Sequence, residues 1–267
     1  MTRLSAAAWT GVGILVLVVA ASLLVPLASP YHSDTPAGVP LLPPSPAHLF
    51  GTDNLGRDVF VRTWSAGLLD LGLALAGVLA PLAVGTSIGA IIGTTRSGVV
   101  AFLWMMLIEG INAFPFLVLV IGIVAVIGPG IQGILIGLAA TNWARYARIV
   151  RARALVVRDA DFMQATRVLG YSRARVLLRH VLPNVVSEAW AYGLSDFVLV
   201  IITVAGLSFL GLGVRPPTPE WGAMMSDGRL FLARAWWITV FPGLTLAFTA
   251  VGVALLAHAV TGSAEAV

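Results

Sequence analysis

The chain has 267 residues, of which 58% are hydrophobic and only 10% are charged. An average soluble domain has about 25% charged residues, so this composition does not fit a water-soluble protein with one or two buried cores. There is no cysteine, which excludes disulfides and thiolate metal sites, and the four histidines are scattered. The net charge of +4 does not indicate nucleic-acid binding, because the arginines lie between apolar segments.

All 16 basic residues are arginines. A phosphate-binding GxxxxGK[ST] loop needs a lysine, so the chain itself cannot carry a Walker-type ATPase. We further expect that it is not an enzyme, performs no bond chemistry, and holds no metal or cofactor of its own.

The apolar segments predict an all-α integral membrane protein with six transmembrane helices, since each span needs about 20 mostly apolar residues. We interpret the first span as a retained anchor and not as a cleaved signal peptide, because its apolar run is long and lacks a small-x-small cleavage site. The predicted spans cover about residues 6–28, 68–95, 100–127, 131–144, 189–213 and 237–260.

The segment after the first span changes character along its length. Six prolines between Pro30 and Pro46 favour an extended linker. Gly51–Phe60 then predicts a turn and a short helix on the outer membrane surface. The predicted divisions are an anchor at 1–28, an extracytoplasmic linker and surface helix at 29–66, a transmembrane domain at 67–260 and a cytoplasmic tail at 261–267.

Gly85, Gly89 and Gly93 recur on one face of the second span, and Gly133 and Gly137 repeat the spacing in the fourth. Small residues at this spacing let helix backbones approach closely in lipid. The pattern fits packing within the chain or a seam with a second membrane subunit.

Four residues interrupt the apolar spans. A charge near mid-membrane costs at least about 2.5 kcal/mol, so these side chains should face protein or a cavity. They are candidates for lining a translocation path, or else make buried hydrogen bonds or lie at helix ends. Pro115 should also kink the third span. The four residues are Glu109, Asn112, Pro115 and Asp196.

The arginine distribution predicts the orientation, because basic residues near spans stay in the cytoplasm. Nine arginines lie between the fourth and fifth spans, from Arg145 to Arg179, and place that segment inside. Both termini are then cytoplasmic. Together with Arg3 and Arg96 the inner side has eleven arginines, against five outside.

Within this inner segment, residues 158–170 have the local signals of a short helix. Asp161 and Gln164 resemble a capping box, and Gly170 supplies the left-handed residue that ends a helix. Two turns are marginal alone in water, so Phe162 and Leu169 need a packing partner. Ser172 is a plausible N-cap of a second helix, which Pro183 should end. A solvated basic loop that serves only topology is the alternative.

At these residues the chain resembles the ATP-binding-cassette importer permeases. Gln164-Ala165-Thr166, Gly170 and Leu182-Pro183 are similar to the family's EAA loop, with Gln164, Thr166 and His180 as departures. The resemblance implies a coupling helix at about 159–170 that enters a groove of the ATPase subunit. The residues implied in coupling are Asp161, Phe162, Gln164, Ala165, Thr166, Leu169, Gly170, Leu182 and Pro183.

Two further motifs resemble the dipeptide, oligopeptide and nickel group of these permeases, and specifically its C-type subunit. They are Gly51-Thr52-Asp53-Asn54-Leu55-Gly56-Arg57-Asp58, and Leu207–Gly213 followed by Pro216–Met224. The outer loop 214–236 would form a gate or a docking surface for a binding protein, or its aromatics an interfacial belt. Candidates for the gate or docking surface are Asp53, Arg57, Asp58, Trp221 and Met224.

The resemblance implies a type I importer in the bacterial cytoplasmic membrane that imports dipeptides or oligopeptides by alternating access. Nickel chelates, haem or another small solute are alternative substrates. Its implied partners are a second homologous permease, two ATPase subunits or one fused ATPase that bind ATP and magnesium, and an extracytoplasmic substrate-binding protein. An ion-coupled transporter using Glu109 and Asp196, and a membrane assembly protein, are alternatives of other classes.

Overall fold

The computed structural model describes residues 6–95 and 97–264, without the side chains of 164, 165, 167, 168 and 261–264. Arg3, Arg96 and the end of the predicted tail at 265–267 therefore lie outside the described residues. Within the described part the chain is helical and has no β-strand. The fold class predicted from the composition is confirmed.

Ten α-helices follow one another along the described chain. They are α1 (Ala6–Ala28), α2 (Val59–Thr94), α3 (Gly98–Ala113), α4 (Phe116–Ile127), α5 (Ile131–Asp159), α6 (Asp161–Val168), α7 (Arg173–Val176), α8 (Leu182–Phe209), α9 (Trp221–Gly228) and α10 (Trp237–Ala264). A π-helical turn, Leu177–Val181, joins α7 to α8, and a 3₁₀ turn, Arg229–Phe231, follows α9.

By length and composition, the described helices provide four membrane spans, or five with the bent pair α3 and α4. The predicted count of six is not reproduced by this criterion, because the fourth predicted span, 131–144, belongs to the arginine-rich α5. Fourteen helical residues reach only about 21 Å, less than the roughly 30 Å of hydrocarbon. In the structure α5 instead continues to Asp159, over 29 residues.

Two predictions about helix boundaries are corrected. The expected short surface helix at the end of Gly51–Phe60 is the first turn of α2, which runs over 36 residues without interruption. No helix-breaking residue separates Phe60 from the apolar run, so the helix continues. At Pro115 the third span is not kinked but broken, since α3 and α4 meet at 92°.

The chain divides into two compact units. The first comprises the described parts of Met1–Ala76, Ile123–Leu135 and Leu194–Val267, and the second comprises Gly77–Gly122 and Ile136–Gly193. In the first unit an apolar cluster forms around Met224, Trp237 and Ile238. In the second unit an apolar cluster includes Tyr146, Val150 and Met163.

The glycine face of α2 packs within the second unit. A Cβ atom on Gly85 would lie 2.4 Å from the carbonyl oxygen of Trp143, and one on Gly93 would lie 2.6 Å from the Cβ of Ala154. Both partners are on α5. The small residues therefore permit close contact between two helices of the same chain, as one of the two interpretations predicted.

Candidate functional site

Helix α6 has one buried face and one exposed face. Met163 is only 3% exposed and joins the apolar cluster of the second unit, which includes Val157, Val181 and Val185. Phe162 on α6 is 45% exposed, and Leu169, the residue directly after α6, is 65% exposed, although both are large and apolar. The helix is thus attached to its own unit through Met163 and leaves an apolar surface uncovered.

Both ends of α6 are defined by local chemistry. The N–H of Met163 donates to the carbonyl oxygen of Ala160 at the start. At the end Gly170 has φ +70°, and the N–H of Tyr171 donates to the carbonyl oxygen of Thr166. This is the Schellman arrangement, which confirms the predicted C-terminus. Asp161 is the first helical residue, where its carboxylate lies at the positive end of the helix dipole.

Thr166 is buried and its hydroxyl donates to the carbonyl oxygen of Met163 at 2.8 Å. Within this chain it therefore stabilises α6 from the inside. The side chains of Gln164 and Ala165 lie outside the described part of the structure, so their predicted role in coupling stays a prediction.

The helix after α6 starts as predicted but does not end as predicted. The Ser172 hydroxyl accepts a hydrogen bond from the N–H of Arg175, which confirms the N-cap. Pro183 does not end the helix, because helical structure is continuous over Arg173–Phe209. The π-helical turn before Pro183 widens the backbone, with the N–H of Leu182 donating to Leu177, and so makes room for the proline ring.

A cavity of about 490 Å³ lies beside α6 in the second unit. Its wall combines threonines at the end of α2 with arginines on either side of α6. The lining includes Thr94, Thr95, Arg158, Tyr171 and Arg173. The cavity therefore leaves space between α6 and the end of α2.

In the second unit Glu109 on α3 forms an ion pair with Arg148 on α5. Nη1 of Arg148 lies 3.4 Å from Oε2 of Glu109, and both side chains are about half exposed. One turn earlier on α5, Arg145 stacks over the ring of Phe116 at 4.4 Å. Asn112, one turn from Glu109, has a buried amide nitrogen with no hydrogen-bond partner in the described structure.

These residues fit a polar environment better than a lipid surface. Exposed charges are costly in lipid, so the side chains of Glu109 and Arg148 face water or another protein. The structure brings Glu109 and Arg148 together, a pairing that sequence reasoning missed because it assigned Arg145 and Arg148 to the cytoplasmic segment. Asp196 is a buried residue of α8 and belongs to the first unit.

The motif Gly51–Asp58 folds the segment before α2. Asp53 accepts hydrogen bonds from the N–H groups of Leu55 and Arg57, and its Oδ2 lies 2.6 Å from Nε of Arg57. Asp58 accepts from the N–H of Val61 at the start of α2 and pairs with Nδ1 of His48 at 2.8 Å. The two carboxylates therefore organise a turn and cap a helix.

The five candidates for a gate or docking surface all have internal roles. Asp53, Arg57, Asp58, Trp221 and Met224 are each at most 5% exposed. A partner docking on this chain as it stands would not touch these side chains. Different residues of the same loops are apolar and exposed. They include Leu55, Leu230, Leu232 and Trp236.

A buried acidic pair was missed by sequence reasoning. Asp70 on α2 accepts a hydrogen bond from the N–H of Trp221 at 3.0 Å, and Glu220 caps α9 by accepting from Gly222 and Ala223. Burial raises the pKa of Glu220. The indole N–H of Trp221 donates to the carbonyl oxygen of Thr63 at 2.8 Å. Asp70 lies within an otherwise apolar predicted span, and this could have indicated a buried carboxyl group from the sequence.

Several apolar helices and an amphipathic helix with an uncovered apolar face define the class as a multi-pass membrane subunit that works with other proteins. Over residues 85–265 the sequence matches the family described as "Binding-protein-dependent transport system inner membrane component". The chain belongs to this family. Membership makes it a permease component of an ATP-binding-cassette importer, with an ATPase and a substrate-binding protein as its partners.

Relatives from several bacteria are similar over most of the chain. A putative peptide transport system permease protein of Brucella suis is 36% identical, over 92% of this chain and 83% of the relative. A dipeptide transport system permease protein, DppC, of Alkalihalophilus pseudofirmus is 34% identical, over 85% and 74%. A glutathione transport system permease protein, GsiD, of Escherichia coli is 38% identical, over 80% and 70%.

A solved structure shares the fold. The crystal structure of an amino acid ABC transporter with histidines superimposes with a TM-score of 0.52 and covers 73% of this chain and 92% of that chain. The identity is 18%, so this likeness concerns the arrangement of helices alone.

Proposed function

We propose that this chain is one of two homologous permease subunits of a bacterial importer for dipeptides and oligopeptides. Its relatives are named for peptides, for dipeptides and for glutathione, which is itself a modified tripeptide. The chain moves its substrate by alternating access and performs no bond chemistry. ATP and magnesium bind to the ATPase subunits, separate or fused, and not to this chain.

The observation that carries the coupling mechanism is the two-sided character of α6. Met163 packs in the apolar cluster of the second unit and so attaches the helix to it. Phe162 and Leu169 form an apolar surface that no other part of the described chain covers. An ATPase groove that buries these two side chains would move α6 and, through Met163, the helices packed against it. The cavity beside α6 provides space for a side chain of the ATPase.

The arginine asymmetry supports an orientation with both termini and α6 in the cytoplasm. In this orientation the loop 214–236 is extracytoplasmic and faces the binding protein, and Leu230, Leu232 and Trp236 are exposed apolar residues that such a partner could cover. Glu109 and Arg148, with Asn112 one turn away, are our candidates for the path on this subunit. Asp196 and Pro115 remain candidates of the same kind.

Site-specific crosslinking tests this proposal, since the chain has no cysteine and any introduced thiol is unique. In the assembled importer, Phe162→Cys should capture the ATPase with a thiol-to-amine crosslinker. Leu230→Cys is the matched control, as an exposed apolar residue of the loop 214–236, and should capture the binding protein only. Capture of the ATPase from Leu230, or from neither position, would contradict the proposed docking and orientation.

The substrate is tested by transport into proteoliposomes containing both permeases, the ATPase and the binding protein. ATP-dependent uptake of radiolabelled dipeptides and tripeptides should be saturable and compete with unlabelled peptide. Uptake of nickel chelate or haem, with no peptide uptake, would contradict the peptide assignment while leaving the importer mechanism in place.

A further inference from the structure

Two carboxyl side chains from distant parts of the first unit meet in its interior. Asp70 is 2% exposed and Glu220 is fully buried. The two groups act on each other electrostatically, and Asp70 accepts a hydrogen bond from the N–H of Trp221, the residue directly after Glu220. Because an ionised carboxylate has acceptors only, a hydrogen bond between two carboxyl groups requires a proton on one of them.

The remaining hydrogen bonds indicate which group carries that proton. Glu220 accepts from two backbone N–H groups, those of Gly222 at 2.9 Å and Ala223 at 2.7 Å, at the positive end of α9. Asp70 accepts from one, that of Trp221, through Oδ2. Oδ1 of Asp70 is buried and faces no donor within the described structure. A negative charge is therefore stabilised better on Glu220, and Oδ1 of Asp70 is left to carry the proton.

No neighbouring cation of the described structure compensates a second negative charge at this place. The electrostatic interaction that acts on Asp70 comes from Glu220. The hydroxyl of Ser208 on α8 is a further polar group acting on Glu220. The nearby charged residues interact with one another instead. They lie in the segment before α2, in the first turns of α2 and on α9. That group comprises Asp34, Asp53, Arg57, Arg62 and Asp227.

We propose that Asp70 and Glu220 form a proton-binding site, in which one proton on Oδ1 of Asp70 is donated to the carboxylate of Glu220 and holds the turn before α9 against α2. Two adjacent buried carboxylates cannot both be ionised without strong repulsion. The bound proton therefore keeps Trp221 in its pocket, where its indole N–H reaches Thr63. Loss of the proton releases the turn 217–223 from α2.

The sign of the pH effect follows from proton counting. In the unfolded chain both acids are ionised at neutral pH, whereas the folded chain keeps one proton, so stability falls as the pH rises. The stabilisation is complete below the usual pKa of a carboxyl group and is lost as the pH rises far enough to remove the shared proton. The folding equilibrium should shift by up to about tenfold for each pH unit in that interval.

Hydrogen exchange on the assembled importer tests the site directly, because the N–H groups of Trp221, Gly222 and Ala223 are bound by the two carboxyl groups. Protection factors of the peptide covering these residues should fall as the pH rises above the usual pKa of a carboxyl group. Asp70→Asn places a neutral amide donor where the acid stood and should keep the protection while removing its pH dependence. Asp34→Asn, which changes an exposed carboxylate, should behave as the parent protein.

Glu220→Gln should lower protection at every pH, because its amide NH₂ would oppose one of the two N–H groups that Glu220 accepts. The reverse asymmetry, with Asp70→Asn damaging and Glu220→Gln neutral, would overturn the assignment of the proton. A pH profile of Asp70→Asn that equals the parent profile would overturn the site itself.

An infrared measurement on the parent protein does not depend on how well the variants fold. The parent protein at neutral pH should show the carbonyl stretch of a protonated carboxylic acid, retained in Asp34→Asn and lost in Asp70→Asn. Absence of this band from the parent protein would overturn the proposal.

Discussion

Gly89 on α2 lies directly against the backbone of Ala147 on α5, so that a Cβ atom added to Gly89 would stand 2.5 Å from the carbonyl oxygen of Ala147. A methyl group there must push the two helices apart. The same Cβ would also lie 2.9 Å from the Cβ of Val150. The contact joins the helix that ends beside the α6 cavity to the helix that leads into α6.

Gly89→Ala should therefore destabilise the second unit by about 1–3 kcal/mol, as overpacking of a close contact does. Gly72→Ala is the matched control, because Gly72 lies on the same helix with nothing within 4 Å of its added Cβ. Thermal unfolding in detergent measures both. Equal midpoints for the two variants would contradict the close packing of α2 on α5.

Gly222→Ala should be more damaging than Gly206→Ala. The added Cβ on Gly222 would lie 2.0 Å from the carbonyl oxygen of Ala205, whereas nothing lies within 4 Å of one on Gly206. The backbone of α8 cannot yield as a side chain can, so we expect a loss of about 3 kcal/mol or more. Limited proteolysis of the loop 214–236 should follow the same order, and equal cleavage rates would argue against this contact.

Met163 and Phe162 are adjacent in the chain, but replacing each by alanine should affect a different property. Met163→Ala should lower stability, and Phe162→Ala should lower association with the ATPase. Met163→Ala removes a buried side chain and should cost about 2–5 kcal/mol of unfolding free energy. Phe162→Ala removes an exposed one and should change the stability of the isolated chain by less than about 0.5 kcal/mol. It should nevertheless reduce co-purification of the ATPase and ATP-driven uptake. An ATPase association unaffected by Phe162→Ala would argue against docking at α6.

Glu109 and Arg148 should contribute to transport more than to stability. The pair is half exposed, and such pairs contribute about 0–1 kcal/mol. Glu109→Gln and Arg148→Gln should each lower uptake with little change in the unfolding midpoint, while the exchanged pair Glu109→Arg with Arg148→Glu should recover part of it. If neither single variant affects uptake in proteoliposomes, the pair does not lie on the path.

Asp53→Asn should destabilise the first unit by about 3–5 kcal/mol, because it leaves a buried arginine without its carboxylate. Nε of Arg57 lies 2.6 Å and Nε of Arg62 lies 3.6 Å from the same Oδ2 atom. Asp34→Asn, at an exposed position, is the control. Thermal unfolding followed by circular dichroism measures the stability of both variants. If Asp53→Asn left the unfolding midpoint unchanged and lowered the affinity for the binding protein, Asp53 would have a docking role instead of a structural one.

The sequence alone indicated the membrane class, most helices, the C-terminal end of α6 and the start of α7. These features depend on interactions over a few residues: apolar runs long enough to span lipid, a serine that caps at Ser172, and a glycine with a left-handed backbone at Gly170. The glycine face of α2 could also be predicted, because it is a regular spacing within one helix. The sequence did not indicate that α5 is the helix packed against it.

The tertiary structure decided what those elements contact. Asp53 and Arg57 belong to a conspicuous motif in the loop before α2, yet they are buried because their charges pair within the turn that precedes the helix. The helix continues through Pro183 because a π-helical turn accommodates the ring. Asp70 and Glu220 are distant in the chain, and their shared proton depends on a burial that no local pattern records. Long-range packing sets the environment of a charge, and the environment determines its role.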